Sequence, residues 1–138
     1  MTPTHPPGQS KLILIIDDEI AFCTVIRDIL RASGYRVLIA HRASDAQQHL
    51  ENATPDLIIS DIMMPEMDGL TLIRTIRSCP ELASIPILVV SAKSRDEDFK
   101  QVREAGADGF LTKPFTSQEL LTHIRHHLTH AAEKGKKA

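Results

Sequence analysis

The sequence has little of several features that mark particular classes of protein. Its 138 residues include no tryptophan, one tyrosine and two cysteines, and the formal net charge is only −2. Cys23 and Cys79 lack the spacing of a zinc or redox motif, so both are expected to be reduced thiols. The balanced charge gives no field that would attract nucleic acid or an anionic membrane. We therefore expect no direct DNA binding and no binding to membranes.

Long apolar runs are also missing, and the two ends of the chain are polar. No apolar run approaches the length of a transmembrane helix. The Pro-rich residues 1–10 (MTPTHPPGQS) lack the apolar stretch of a signal peptide, so a cytoplasmic protein is expected. The length suits one hydrophobic core. The predicted organisation is a disordered lead at 1–10, one domain at 11–130 and a basic flexible tail at 131–138.

Two kinds of apolar pattern alternate along the predicted domain. Leu12–Ile16 (LILII) is continuously apolar, as in a parallel strand buried on both faces. The next pattern has helical spacing and is expected to end near Gly34. Further strands are predicted at Val37–Ala40, Leu57–Ser60, Ile87–Val90 and Phe110–Leu111, and further helices at Ala43–Glu51, Leu70–Ser78, Asp96–Ala105 and Thr116 to about His130. This alternation predicts an α/β fold, with helices on both faces of a parallel sheet.

Polar side chains follow four of the five predicted strands. They are Asp17, Asp18 and Glu19 after the first strand, Asp61 after the third, Ser91 (followed by the small Ala92) after the fourth, and Lys113 after the fifth. Ligands of open parallel sheets bind beyond the carboxyl ends of the strands, so these side chains are expected to meet. Taken singly, each is accounted for by an ordinary helix cap or turn. Their joint order favours a functional site.

The chemistry of this set points to phosphoryl transfer. Asp17, Asp18 and Asp61 would repel one another unless some were protonated or a cation joined them. Oxygen ligands suit a hard cation, so Mg²⁺ is expected, with Mn²⁺ as a possible substitute. Lys113 and Ser91 could then bind phosphoryl oxygens, with space left beside Ala92. Asp61 is the best nucleophile, because carboxylates form aspartyl phosphates.

The sequence resembles the receiver domains of bacterial two-component response regulators. The matching elements are IIDDE at 15–19, DIMMPEMDG at 61–69, SA at 91–92 and AGADGFLTKPF at 105–115. Together they cover the chain from about Lys11 to His130. The resemblance implies a flavodoxin-like, doubly wound (βα)5 fold, whose five-stranded parallel sheet has the order 2-1-3-4-5.

The resemblance also implies how phosphate and metal are bound. Asp61 would accept the phosphoryl group from a phosphohistidine on a sensor histidine kinase or a histidine phosphotransfer protein. Asp18, Asp61 and the backbone carbonyl of Met63 would bind Mg²⁺, and Asp17 would act through water. The chain would be a signalling switch rather than an enzyme, with self-phosphorylation and autodephosphorylation as its only chemistry.

A further set of residues would convert phosphorylation into a signal. Ser91 and Lys113 would hold the phosphoryl oxygens, and Ala92 would leave access to them. The Lys113–Pro114 bond is expected to be cis. Phe110 would occupy the aromatic switch position together with Ser91, and without a hydroxyl it must act through packing. The face formed by the fourth helix, fifth strand and fifth helix would then be remodelled.

The sequence does not decide what such a switch acts on. About eight residues follow the last predicted helix, too few for an output domain, so a single-domain response regulator is expected. Its further partners would be a downstream effector protein or a second copy bound through the remodelled face. A phosphorelay intermediate and a phosphate sink are alternatives. An aspartyl-phosphate phosphatase is less favoured. Such enzymes have a DxD motif on the first strand and need a cap domain or a longer chain, whereas here the first strand ends in adjacent Asp17 and Asp18.

Four histidines form a stripe on the last predicted helix: His123, His126, His127 and His130. Helical spacing puts them on a different arc from the leucines of the helix, so they are expected to face solvent. The spacing of His123, His127 and His130 is one that a transition metal could use. A pH-dependent partner surface, or a favourable interaction with the helix dipole, would also account for the stripe.

Overall fold

The computed structural model of the protein describes residues 10–62, 69–92 and 96–137, with the side chains of 96–98 and 132–137 excepted. Strands and helices alternate along the chain. The elements are β1 (Leu12–Ile16), α1 (Ile20–Ala32), β2 (Arg36–Ala40), α2 (Ala43–Asn52), β3 (Leu57–Ser60), α3 (Gly69–Ser78), β4 (Ile87–Ser91), α4 (Asp96–Ala105), β5 (Gly109–Thr112) and α5 (Ser117–Lys137).

The five strands form one parallel sheet of order β2-β1-β3-β4-β5. This confirms the predicted flavodoxin-like (βα)5 fold. The order reverses at β1, because β2 lies on one side of it and β3 on the other. A crevice at this reversal is where open α/β sheets bind ligands.

Alternate residues of each strand face opposite layers of helices. Ile13 and Ile15 of β1 pack into a cluster with residues of α1 and α5, including Cys23 and Ile124. Leu14 and Ile16 pack into a second cluster, which contains residues of α2, α3 and α4. Burial on both faces explains why the strand sequences are continuously apolar.

Most predicted element boundaries agree with the structure within one or two residues. Gly34, at φ 94°, follows the C-cap of α1 as predicted. One prediction differs: α5 continues to Lys137 instead of ending near His130. The sequence also predicts Asp68 as the cap of α3, and that position lies outside the described residues. Among the helices that are described, none has the length and apolar composition needed to cross a membrane.

Arg77 connects α3 to the loops that precede β4 and β5. Its Nε donates to Gly106 O at 2.8 Å, and its Nη1 donates to Ile85 O at 2.6 Å. Its Nη2 donates to Asp108 Oδ2 at 2.7 Å. Gly106 has a φ of 116°, and a Cβ there would lie 2.7 Å from Arg77 Cγ. One guanidinium group therefore fixes the positions of two loops at the amino ends of the strands.

Candidate functional site

Two buried carboxylates lie at the carboxyl ends of β1 and β3. The residues that follow these strands, Asp17 and Asp61, are 1% and 9% exposed. Their backbones extend the sheet by one step, because Asp61 N–H donates to Ile16 O and Asp17 N–H donates to Ala40 O, both at 3.0 Å. The sheet itself therefore brings the two acidic groups to the same edge.

A third carboxylate, from exposed Asp18, completes an acidic cluster with Asp17 and Asp61. One oxygen from each residue lies within 4.8 Å of the others. In the part of the chain that is described, this is the only group of three or more candidate metal ligands so arranged. Met63, whose backbone carbonyl was predicted to bind the metal together with Asp18 and Asp61, lies outside the described residues.

The environment of Asp17 fits a site for a small cation. Burial raises the pKa of Asp17 above its ordinary value, although hydrogen bonds from Glu19 and Lys113 oppose this shift. Its charge is thus only partly compensated by the protein. An all-oxygen set with uncompensated negative charge suits a hard divalent ion such as Mg²⁺. The donor atoms therefore fit the predicted metal.

Lys113 brings a positive charge to the same carboxylates. Its Nζ donates to Asp17 Oδ2 at 3.0 Å and lies 3.7 Å from Asp61 Oδ2. Burial alone would lower the pKa of Lys113, but the hydrogen bond to Asp17 and the nearby carboxylates together raise it. The side chain therefore stays a cation at neutral pH. The predicted cis bond between Lys113 and Pro114 is present.

Phe22 of α1 contacts the same ammonium group. Lys113 Nζ lies 4.0 Å from the centre of the Phe22 ring, a distance at which the ring face attracts a cation. The Phe22 ring meets Phe115 edge-on, with 6.0 Å between ring centres. Sequence reasoning missed this contact, since Phe22 fits the apolar stripe of α1 and no local pattern pairs it with Lys113.

The backbone of Asp17 is held by two further side chains that the sequence did not single out. His41 Nδ1 lies 3.0 Å from Asp17 O, and because a carbonyl only accepts, Nδ1 carries the proton. Cys23 Sγ donates to the same oxygen at 3.3 Å. Burial, followed by the charge of Asp17, raises the pKa of Cys23 to about 12, so it stays a thiol. Glu19 N–H donates to Asp17 Oδ1 at 2.9 Å, which orients the carboxylate itself.

The predicted switch residues lie along β4 and β5. Ser91, the last residue of β4, is 1% exposed, and its carbonyl accepts a 2.8 Å hydrogen bond from Lys113 N–H. Ala92, the next residue, is exposed. Phe110 of β5 is half-buried and contacts Phe99 of α4 edge-on, with 4.4 Å between ring centres. Ser91 thus lies with Lys113 at the carboxyl ends of the strands, which we call the rim, whereas Phe110 packs toward α4.

Gly69, the first residue of α3, lies against the backbone that follows Asp61. Its N–H donates to Ile62 O at 3.1 Å. A Cβ at this position would overlap Ile62 Cα and lie 2.6 Å from Asp61 O. The absence of a side chain therefore lets α3 begin directly beside the strand end that carries Asp61.

Comparisons with known proteins agree with the fold. Residues 13–125 match the response regulator receiver domain. PhoP, the alkaline phosphatase synthesis transcriptional regulatory protein of Bacillus subtilis (strain 168), is 36% identical over 119 residues, which cover 85% of this chain and 48% of that protein. The chain spans about half the length of the curated relatives that it matches first.

Solved structures of receiver domains and response regulators have the same fold as this chain. The signal receiver domain of a signal transduction histidine kinase from Syntrophus aciditrophicus has a TM-score of 0.81 and 35% identity, covering 88% of this chain and 92% of that one. The chemotaxis response regulator CheY4 of Vibrio cholerae has a TM-score of 0.82 and 28% identity, covering 86% and 99%. The chain belongs to the receiver domain family of two-component response regulators.

Proposed function

We propose that Asp61 accepts a phosphoryl group from a phosphohistidine on a sensor histidine kinase or a histidine phosphotransfer protein. The observation that carries this proposal is the surrounding charge. Asp61 Oδ2 lies 3.7 Å from Lys113 Nζ, and Asp61 belongs to the oxygen cluster formed with Asp17 and Asp18. A carboxylate placed between a cation and a candidate metal site is suited to attack phosphorus.

In the proposed transfer, an Asp61 oxygen forms a bond to phosphorus as the bond from phosphorus to the donor histidine nitrogen breaks. Asp17, Asp18 and Asp61 would hold Mg²⁺, which neutralises charge on the carboxylates and phosphoryl oxygens when bound. Lys113, kept cationic and anchored on Asp17, stabilises the incoming phosphoryl oxygens. Catalysis of this kind comes from positioning and charge rather than from acid–base chemistry.

The signal would spread from the rim toward α4. A phosphoryl group adds negative charge and strong acceptor oxygens beside Ser91 and Lys113. Attraction of the Ser91 hydroxyl moves the end of β4 and changes the packing of Phe110 on Phe99. The face formed by α4, β5 and α5 then differs between the two states. A downstream effector or a second copy of the chain would bind this face, while exposed Ala92 leaves the phosphoryl group accessible to partners.

Several outputs are compatible with this chemistry. A single-domain response regulator acting on an effector protein in the cytoplasm, without contacting DNA itself, is the first proposal. A phosphorelay intermediate and a phosphate sink use the same site. A phosphatase working on small phosphomonoesters has no specific support among the contacts of the described residues.

Intact-mass measurement after incubation with acetyl phosphate and Mg²⁺ tests the phosphoacceptor. The wild type should gain the mass of one phosphoryl group, and Asp61→Asn should gain none. Asp45→Asn, an exposed position of α2, is the matched control and should label like the wild type. Chelation of Mg²⁺ should prevent labelling. Equal labelling of Asp61→Asn would place the acceptor elsewhere.

The choice among the outputs requires a partner. Phosphotransfer from a panel of purified histidine kinases and phosphotransfer proteins should reveal one donor that labels the chain much faster than the rest. Onward transfer to a histidine would identify a relay. A long-lived phosphorylated form that binds a protein only in that state would identify an effector pathway.

A further inference from the structure

A cavity lies at the end of the sheet opposite the acidic cluster. Its volume is about 290 Å³, and it is lined by Ser84, Pro86, Asp108, His126, His127, His130 and Ala131. Pro86 and Asp108 directly precede β4 and β5, so the cavity is at the amino ends of the strands. The acidic cluster follows the carboxyl ends of the strands. The two sites are therefore separated by the length of the sheet.

Two of the cavity histidines are paired on one face of α5. His126 and His130 are both exposed, and their rings are stacked with 5.4 Å between ring centres and 22° between planes. Residues four apart lie one above the other on a helix. Two histidines at this spacing on a helix are a known arrangement of zinc ligands. Their exposure leaves both rings free to turn toward a common ion.

The other two histidines are less suited to bind an ion. His127 packs against β5 so closely that a Cβ on Gly109 would overlap its Nε2. The rings of His123 and His127 are 6.4 Å apart, and His123 does not line the cavity. The structure thus corrects the expectation that the whole stripe faces solvent. The set His123, His127 and His130 is also not assembled as a three-ligand site in the described chain.

Asp108 gives the cavity a fixed negative charge. Its Oδ2 accepts hydrogen bonds from Arg77 Nη2 at 2.7 Å and from Ile87 N–H at 2.9 Å. The carboxylate is thereby held in place without using its second oxygen in these two bonds. The Arg77 guanidinium offsets this charge, but the effect of the carboxylate still reaches the imidazoles, because Asp108 acts to raise the pKa of His127.

We propose that His126 and His130 bind a divalent transition-metal ion of the Zn²⁺ class in this cavity, with water completing the coordination and Asp108 contributing charge from the cavity wall rather than a ligand atom. Imidazole ligands prefer such ions, whereas Mg²⁺ prefers oxygen. The two ends of the sheet would therefore select different metals. This site is independent of phosphoryl transfer at Asp61.

Isothermal titration of the full chain with Zn²⁺ at neutral pH tests the proposal. The measurement is made with Asp61→Asn as the background, to weaken binding of Zn²⁺ at the acidic cluster. One Zn²⁺ ion should bind per chain. His126→Gln and His130→Gln should each weaken binding by about tenfold or more, since even changes behind the ligands have effects of that size. His123→Gln, on the same helix outside the cavity, should bind like the background protein.

Three results would overturn the proposal. They are no binding of Zn²⁺ to the background protein, unchanged affinity in both His126→Gln and His130→Gln, or an equal loss in His123→Gln. Circular dichroism of each variant checks the fold, which exposed positions such as His126 should preserve. The labelling of wild-type Asp61 by acetyl phosphate is a separate measurement, so failure of either site leaves the other testable.

Discussion

Lys113 and Phe22 form a cation–π contact, with the ammonium nitrogen 4.0 Å from the centre of the ring. We expect Phe22→Leu to slow phosphorylation of Asp61 by acetyl phosphate. Leucine keeps an apolar side chain beside Lys113 but removes the aromatic face that attracts the cation. Loss of roughly 0.5–1 kcal/mol corresponds to a rate decrease of about two- to fivefold.

Phe22→Tyr is the control for this prediction, because it retains the aromatic face. Its labelling rate, measured by intact mass against time, should equal that of the wild type. If the leucine and tyrosine variants react at the same rate, the ring contributes only packing to α1. Thermal melting of both variants separates a change in rate from a change in folding.

Asp17→Asn should stabilise the protein at neutral pH when Mg²⁺ is absent. Burial raises the pKa of Asp17, so the folded state binds its proton more tightly than the unfolded state. The free energy of unfolding therefore falls as pH rises from the ordinary pKa of 3.8 through the folded-state pKa, above which the whole cost of burying the charge is present. Asparagine has no charge to bury.

Thermal melting in chelator and in Mg²⁺ measures this effect. The asparagine variant should melt higher than the wild type in chelator and gain less stability from Mg²⁺, because a ligand of the folded state stabilises it by mass action. Asp45→Asn should show neither change. A lower melting temperature for Asp17→Asn in chelator would mean that the ion pair with Lys113 outweighs the burial of the charge.

Much of the fold was predictable because each strand that is buried on both faces appears in the sequence as an uninterrupted apolar run. Leu57–Ile59 and Ile87–Val90 are apolar without interruption, and both are buried on two faces. The acidic cluster was predictable for the same reason, since Asp17 and Asp61 directly follow such strands. Helix ends depend on weaker local signals. The end of α5 was therefore placed too early.

Contacts between distant segments could not be predicted. Phe22, His41 and Cys23 reach the site through the packing of α1 and the loop after β2, and nothing in their local sequence marks this. The arrangement of the histidines shows the same limit. Helical periodicity separates the stripe from the leucines, but only the position of Gly109 reveals that His127 is covered by β5.

Arg77→Lys should destabilise the protein by about 2 kcal/mol. Lysine keeps the charge, but it cannot reproduce the fork that binds Gly106 O, Ile85 O and Asp108 Oδ2 together. Urea denaturation gives the free energy of unfolding. Arg74→Lys, an exposed position on the same helix, should change it little. Equal effects of the two substitutions would show that the hydrogen bonds of Arg77 contribute no net stability.

His127 should make stability depend on pH. Burial and the neighbouring histidines His126, His123 and His130 lower its pKa from 6.5, although Asp108 opposes them. The unfolded state therefore binds a proton more tightly than the folded state. Stability falls as pH decreases through 6.5 and levels off below the folded-state pKa.

Urea denaturation of His127→Gln between neutral pH and about pH 5 isolates this contribution. The loss of stability on acidification should be smaller in the variant than in the wild type. His123→Gln, elsewhere on the stripe, should retain most of the wild-type dependence. If the free energy of unfolding of His127→Gln falls with pH as steeply as that of the wild type, the pH dependence comes from other groups.

The hydrogen bond from Gly69 N–H to Ile62 O fixes the distance between the two ends of the segment 63–68. A side chain at Gly69 would break this contact, because it would push the helix away from the strand end. The position of the strand end that carries Asp61 therefore depends on a neighbour that has no functional group of its own.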